Sequence, residues 1–315
     1  MKLPALLLLA ACSLHAEEYD KSVPKPTHAE VRYGPHERNV LDFWQAASDT
    51  PAPLVLVVHG GGWKGGGKER VHRFVDVQAL LDAGISVAAN NYRMIPQAET
   101  DGVIPPVKAP MLDSARALQF LRSRAEVWNI DPARIAAAGG SAGACTSLWL
   151  AYHDDLADPK SDDPVARQST RPCRIAVMGP QTTLDPRQAR EWIPNSVYGA
   201  HAFGKKDFEQ ALADRESLLP WIAEYSPYAL ASKDDPPVAL FYSGRPAMGQ
   251  NQKDPTHSPN FGVGLAARCK ELGLQCDVIH SGTPDAGGKT PTEYLIKNLA
   301  APQPSANSGE NGGRP

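Results

Sequence analysis

Residues 134–145 read RIAAAGGSAGAC, and this stretch constrains the chain more than any other. A run of small apolar residues ends in Gly139-Gly140-Ser141-Ala142-Gly143, a G-x-S-x-G pentapeptide placed where a strand turns sharply into a helix. A serine at the tip of such a turn holds its hydroxyl clear of a sheet. Flanking glycines let the backbone turn without Cβ clashes. The N–H of Ala142 then points from a helix N-terminus toward any oxyanion formed at the serine. Taken alone, the pentapeptide is equally a tight glycine turn carrying a surface serine, so its meaning depends on its surroundings.

Upstream, Leu54 to Val58 form a continuous apolar run, as expected of a strand buried on both faces in a parallel sheet. It leads directly into His59-Gly60-Gly61-Gly62-Trp63. Two strands are expected before it, at 28–33 and 39–44, around a Gly-Pro turn. Residues 68–82 have helical spacing, with Val71, Phe74, Val75, Ala79 and Leu80 on one face. A strand at 85–89 follows, then Asn91-Tyr92-Arg93, and a long amphipathic helix over 107–128. Beyond Ser141 the spacing predicts a helix to about 153, a polar loop over 154–171, and a strand at 173–178. Strands at 238–242 and 276–280 flank a helix over 261–272, and a helix over 294–299 closes the pattern. Alternating strand and helix argue for a parallel α/β sheet with right-handed crossovers, whose sites lie at the carboxyl ends of the strands. Both the His-Gly-Gly-Gly loop and Ser141 fall at such ends. Residues 181–236 break the alternation and read as an insertion over the site. Its aromatic residues, Trp192, Tyr198, Trp221, Tyr225 and Tyr228, either line a binding surface or pack the insertion onto the sheet.

The 315 residues suffice for one large domain or two modest ones with a substantial core. The net charge of −3, with no block of like charges, argues against a nucleic-acid partner, which needs a basic face. No apolar run in the body of the chain approaches the ~20 residues of a membrane span. Residues 1–16 read as a secretory signal peptide, with the body of the domain at 17–299 and a disordered Pro/Ser/Asn/Gly tail at 300–315. Leu9-Ala10-Ala11-Cys12 offers a rival reading, a lipoprotein box with a lipid anchor at Cys12. Export permits disulfides. Cys145 reads as a small buried residue, while any two of Cys173, Cys269 and Cys276 could be bridged. The cysteine spacing matches no metal site, and no cofactor is implied.

The His59–Trp63 loop after a buried strand, Asn91-Tyr92-Arg93 after the next, and the Ser141 pentapeptide after a third resemble the α/β-hydrolases. Specifically, the chain is similar to the HGGG-loop esterases, hormone-sensitive-lipase-like enzymes and bacterial acetyl or feruloyl esterases of the BD-FAE type, over about residues 31–299. That resemblance implies a mostly parallel central sheet with helices on both faces. It implies Ser141 as nucleophile and the N–H groups of Gly61, Gly62 and Ala142 as an oxyanion hole. His59 is expected to brace its loop by hydrogen bonding and not to act as a base. The implied substrate is a small-molecule or polysaccharide ester carrying acetyl or aryl groups.

The downstream half departs from the pattern. The family's acid follows a glycine placed like Gly244, but Gly244-Arg245-Pro246-Ala247 has none, and the next carboxylate is Asp254. The family's histidine would fall within 285–288, where the chain reads Asp-Ala-Gly-Gly. Two substitutes remain. His257 lies three residues after Asp254, just before the predicted helix, and His280 ends the last strand. A serine esterase with a relocated base and a catalytically degenerate carbohydrate-binding protein are both compatible with these residues.

Overall fold

The computed structural model describes residues 18–284 and 290–300. The expected signal peptide, the Cys12 lipidation box, the window 285–288 and the tail from 301 lie outside the described residues. Among those described, eight strands form one sheet: β1 (His28–Arg32), β2 (Val40–Trp44), β3 (Ala52–Val58), β4 (Ser86–Asn90), β5 (Ile130–Gly140), β6 (Ile175–Met178), β7 (Val238–Phe241) and β8 (Cys276–Ile279). Their order is β1-β2-β4-β3-β5-β6-β7-β8. β2 runs antiparallel to both β1 and β4, and every later pairing is parallel. The helices are α1 (Val77–Asp82), α2 (Ile95–Thr100), α3 (Lys108–Ser123), α4 (Ala142–Tyr152), α5 (Pro186–Trp192), α6 (Phe208–Ala213), α7 (Arg215–Tyr225), α8 (Pro227–Leu230), α9 (Asn260–Leu272) and α10 (Pro291–Leu299).

The period-2 alternation of β3 explains why both faces are covered. Leu54, Leu56 and Val58 join one core with Met111 and Leu118 of α3 and Trp149 of α4. Val55 and Val57 turn the other way, against Leu80 of α1 and Leu295 of α10. A third core joins Leu148 of α4 to Phe261 and Leu265 of α9. Each such side chain removed from water contributes roughly 1.5–3 kcal/mol, so the central strand is held from both sides.

Two expectations change. The single helix over 68–82 is a 3-10 turn, Lys68–Arg73, followed by α1. The Asp76 side chain accepts from Ala79 N at 3.0 Å, capping a new helix where continuation was expected. The first piece is anchored instead by Lys68, whose buried ammonium meets Asp42 at 3.0 Å and Glu69 at 2.9 Å, and also pairs with Glu30. The helix expected to reach 128 stops at Ser123. The insertion is helical, α5 to α8, and its aromatic rings pack inward. Trp192 meets Tyr228 and Phe261, Trp221 meets Phe203, and Tyr225 meets Trp149. The four cysteines within the described residues are free thiols, Cys145 and Cys269 being buried.

Candidate active site

β5 ends at Gly140 and α4 begins at Ala142, so Ser141 occupies the turn between them with φ 53° and ψ −120°. This left-handed φ is costly for a side chain that bears a Cβ, and it is sustained by hydrogen bonds on both sides. Ser141 N donates to Met178 O at 2.9 Å, and Cys145 N donates to Ser141 O at 2.9 Å. The tight crossing over β3 requires Gly143, where a Cβ would lie 2.1 Å from Val58 O. Ser141 opens onto a cavity of about 670 Å³ bounded by Phe74, Met178, Tyr242, Ile279, His280 and the start of α10.

Beside Ser141 the His59–Trp63 loop is held by its carbonyls. His59 Nδ1 donates to Gly60 O at 2.8 Å, so His59 braces the loop. Lys64 N and Gly65 N donate to Gly61 O at 3.0 and 3.1 Å. His201 Nε2 reaches Gly62 O at 3.0 Å from the insertion. Gly61 and Gly62 have φ of 116° and 63°, which glycine adopts without steric cost. Trp63 fixes the loop to α4 through Nε1–H to Thr146 Oγ1 at 3.0 Å. Tyr92, the middle of the Asn-Tyr-Arg motif, donates to His59 O at 2.8 Å and stacks on the His59 ring, and Arg93 pairs with Asp113 at 2.8 Å.

The loop between β7 and α9 brings the other two groups. His257 Nε2 lies 3.0 Å from Ser141 Oγ, and its Nδ1 lies 2.9 Å from Asp254 Oδ2. A carboxylate only accepts, so Nδ1 carries the proton and Nε2 is left to accept from the serine hydroxyl. Burial alone would raise the Asp254 carboxyl. The hydrogen bonds from the His257 ring and amide and from Thr256 N outweigh it and hold the group below the usual carboxylate range. Gln181 Nε2 grips Thr256 O at 2.6 Å, and Asn260 Nδ2 grips Ala247 O at 2.8 Å, which fixes the loop's path. His280, the alternative base, is not joined to Ser141. It ends β8 on the cavity wall, and its backbone N–H donates to Thr283 Oγ1 at 3.0 Å.

Ser141, His257 and Asp254 thus form one hydrogen-bonded chain at the carboxyl edge of the sheet, capable of proton transfer away from the serine. Among the described residues no group of three or more His, Cys, Asp or Glu could hold a metal ion. His201 and Gln181 carry no sequence signal for their places here. Both lie in a segment without motif, and only the fold brings them to the loops they hold.

The model of the family described as BD-FAE matches residues 41–248, spanning the glycine loop and the serine turn and ending before Asp254 and His257. Carboxylesterase NlhH of Mycobacterium tuberculosis is 33% identical over 109 residues, 35% of this chain and 32% of that protein. Chlorogenic acid esterase of Aspergillus niger is 31% identical over 106 residues, 32% of this chain and 20% of that protein. The chain spans no more than about a third of the length of the curated relatives it matches. Among solved structures, esterase 2 of Thermogutta terrifontis aligns with a TM-score of 0.62 at 20% identity, covering 89% of this chain and 99% of that one. An acetyl ester-xyloside bifunctional hydrolase of Caldicellulosiruptor lactoaceticus aligns at 0.57 with 24% identity, covering 76% and 77%. The sheet order, the strained serine turn and the glycine loop therefore come with a family match over more than half of the sequence, and the chain belongs to the BD-FAE family of α/β-hydrolases.

Proposed function

We propose that the chain is a serine carboxylic-ester hydrolase, with Ser141 as nucleophile, His257 as general base and Asp254 as the group that orients it. The observation that carries this reading is the hydrogen-bonded chain from Ser141 Oγ through His257 to Asp254, at 3.0 and 2.9 Å, beside a loop whose Gly60, Gly61 and Gly62 carbonyls are each taken up in hydrogen bonds. Ser141 Oγ attacks the ester carbonyl carbon as its proton passes to His257 Nε2. The carbonyl oxygen becomes an oxyanion, met by the N–H groups of Gly61, Gly62 and Ala142. Each such donor is worth about 3–4 kcal/mol in related chemistry. Collapse breaks the ester C–O bond, and His257 returns the proton to the departing alcohol. A water then repeats the sequence on the acyl-enzyme and releases the carboxylic acid.

The substrate class is acetyl or aryl esters, on carbohydrate or on small alcohols. The similarity to a chlorogenic acid esterase and to an acetyl ester-xyloside hydrolase supports this class. So does a cavity of about 670 Å³, which is roomier than an acetyl group needs. Export, as a soluble protein or through Cys12, is part of the same proposal and rests on residues 1–16 alone. The test is p-nitrophenyl acetate hydrolysis by wild type and Ser141→Ala. Turnover that vanishes in the variant is expected. Equal rates in the two, or a wild type without turnover, would overturn the reading in favour of a non-catalytic carbohydrate binder.

A further inference from the structure

His201 reaches the glycine loop from the insertion. It lies on a 3-10 turn, Ala200–Phe203, between Gly199 and Gly204, both left-handed, and meets Gly62 across 139 positions of sequence. A carbonyl oxygen only accepts, so His201 carries its proton on Nε2 and donates it to Gly62 O at 3.0 Å. Its ring is set by an edge contact with Tyr198 at 4.9 Å and a tilted contact with Trp63 at 5.9 Å. Burial, and then the charge of Lys64, push its pKa down to about 4, so the ring is neutral near neutral pH and has a single proton to give. The turn itself is tied to the body by Val107 N donating to Ala202 O at 3.1 Å.

Peptide geometry gives this contact its consequence. Each amide N–H points opposite the C=O of the same plane. Holding Gly60 O aims the Gly61 N–H, and holding Gly61 O aims the Gly62 N–H. The Gly62 carbonyl belongs to the following plane, which joins the loop to Trp63. The first two carbonyls are held from within residues 59–65, and the third is held by the insertion. Gly61 and Gly62 face few steric barriers to rotation. The amides that hold Gly61 O belong to Lys64 and Gly65, beyond this third plane. With the Gly62 carbonyl unheld, the Gly62–Trp63 peptide can turn, shift Lys64 and Gly65, and so release the Gly61 carbonyl that aims the Gly62 N–H.

We propose that His201 is a positioning residue for ester hydrolysis: its Nε2–H locks the Gly62 carbonyl, holds the oxyanion loop with its amides facing Ser141, and makes the insertion part of the catalytic apparatus. This rests on the esterase reading above. The lock acts where charge develops, so it enters kcat and leaves substrate binding nearly untouched.

The test compares His201→Phe, which keeps the ring contacts and deletes the donor, with His201→Gln, which keeps a side-chain N–H near the same place. Wild-type turnover that is lost in Ser141→Ala is established first. Its absence overturns the esterase reading itself, and the two failures stay distinct. On p-nitrophenyl acetate, His201→Phe is expected to lose about 10- to 100-fold in kcat with KM within threefold. Affinity for a phenylboronic acid, which forms a tetrahedral adduct on Ser141, should fall in parallel. His201→Gln should recover most of both, and thermal melts of the two variants should stay close to wild type. A kcat for His201→Phe within threefold of wild type, an equal loss in Phe and Gln variants, or a loss confined to KM with boronate affinity unchanged would each overturn the proposal. Should His201→Phe fail to fold, His201→Leu set against His201→Gln supplies the same contrast.

Discussion

His257 reaches Ser141 from the loop between β7 and α9, Nε2 to Oγ 3.0 Å, while the end of β8 presents His280 to the cavity wall without a bond to the serine. The proposed acid and base therefore share one turn. Asp254 Oδ2 accepts from the imidazole, and Asp254 Oδ1 accepts from the amide of His257 at 3.1 Å. This turn is open to water, with the Asp254 side chain 61% exposed and that of His257 41%. A carboxylate in water orients an imidazole as well as a buried one does, but it stabilises imidazolium less, because the solvent screens the charge. His257→Ala should lower kcat by about 10⁴-fold or more, close to Ser141→Ala. Asp254→Ala leaves water to accept the Nδ1–H, so it should cost roughly 10- to 100-fold, well short of the ~10⁴ lost where an amide forces the wrong tautomer at a buried triad. Steady-state rates on p-nitrophenyl acetate decide this, and an Asp254→Ala loss equal to that of His257→Ala would contradict the screening account.

The contrast between these residues also shows what the sequence carries. The serine turn and the glycine loop are legible because they are local demands on the backbone. Ser141 needs glycines around a φ of 53°, and β3 needs an unbroken apolar run. The choice between His257 and His280 was not legible. Both precede or end elements on the correct side of the sheet, and the decision lies in the path of residues 243–259, set by Gln181 and Asn260 through long-range hydrogen bonds. The six-residue α2 was missed because it is under two turns long and shows no period. The split at 68–82 was hidden because Asp76 reads as a solvent-facing position of one helix as readily as the cap of a second. His201 had no signal, since its importance comes wholly from Gly62.

Acid should weaken the native state through His201. Its pKa is about 4 when folded against an ordinary 6.5. Between those values the unfolded chain binds a proton that the folded chain refuses. The stability this group confers is therefore complete above pH 6.5 and is lost as pH falls toward 4. Discounted for its partial exposure, the effect is on the order of 1–2 kcal/mol. Urea midpoints at pH 7 and pH 4.5 for wild type and His201→Gln isolate it, because Asp254 and the other carboxylates titrate alike in both. Wild type should lose more stability between the two pH values than the variant. Equal losses would remove His201 as the cause.

The cavity predicts selectivity by size. Ser243 stands exposed on its wall, just beyond β7 and Tyr242, so a larger side chain there fills the space without entering the core. Ser243→Trp should reduce kcat/KM for an aryl-acyl ester at least 10-fold, while p-nitrophenyl acetate changes less than threefold, since a small acyl group needs only the space beside Ser141. The ratio of the two rate constants is the measurement. An unchanged ratio would place the bulky arm of the ester outside this cavity.

Gly143 links stability to the site. A Cβ there would stand 2.1 Å from Val58 O and 2.5 Å from His59 O, both backbone atoms, so no side-chain adjustment relieves the clash. The start of α4 must lift from β3, carrying Ser141 and the Ala142 N–H away from the glycine loop. Overpacking of this kind costs at least about 2 kcal/mol and displaces two groups of the site together. Gly143→Ala should melt several degrees lower and lose more activity than the small change in volume suggests. Gly65 is the matched control. It lies in the same glycine loop, and a Cβ there meets nothing within 4 Å. Gly65→Ala should stay near wild type in melting temperature and in kcat. If the two variants behave alike, the close approach of α4 to the end of β3 is not what holds Ser141 against the loop.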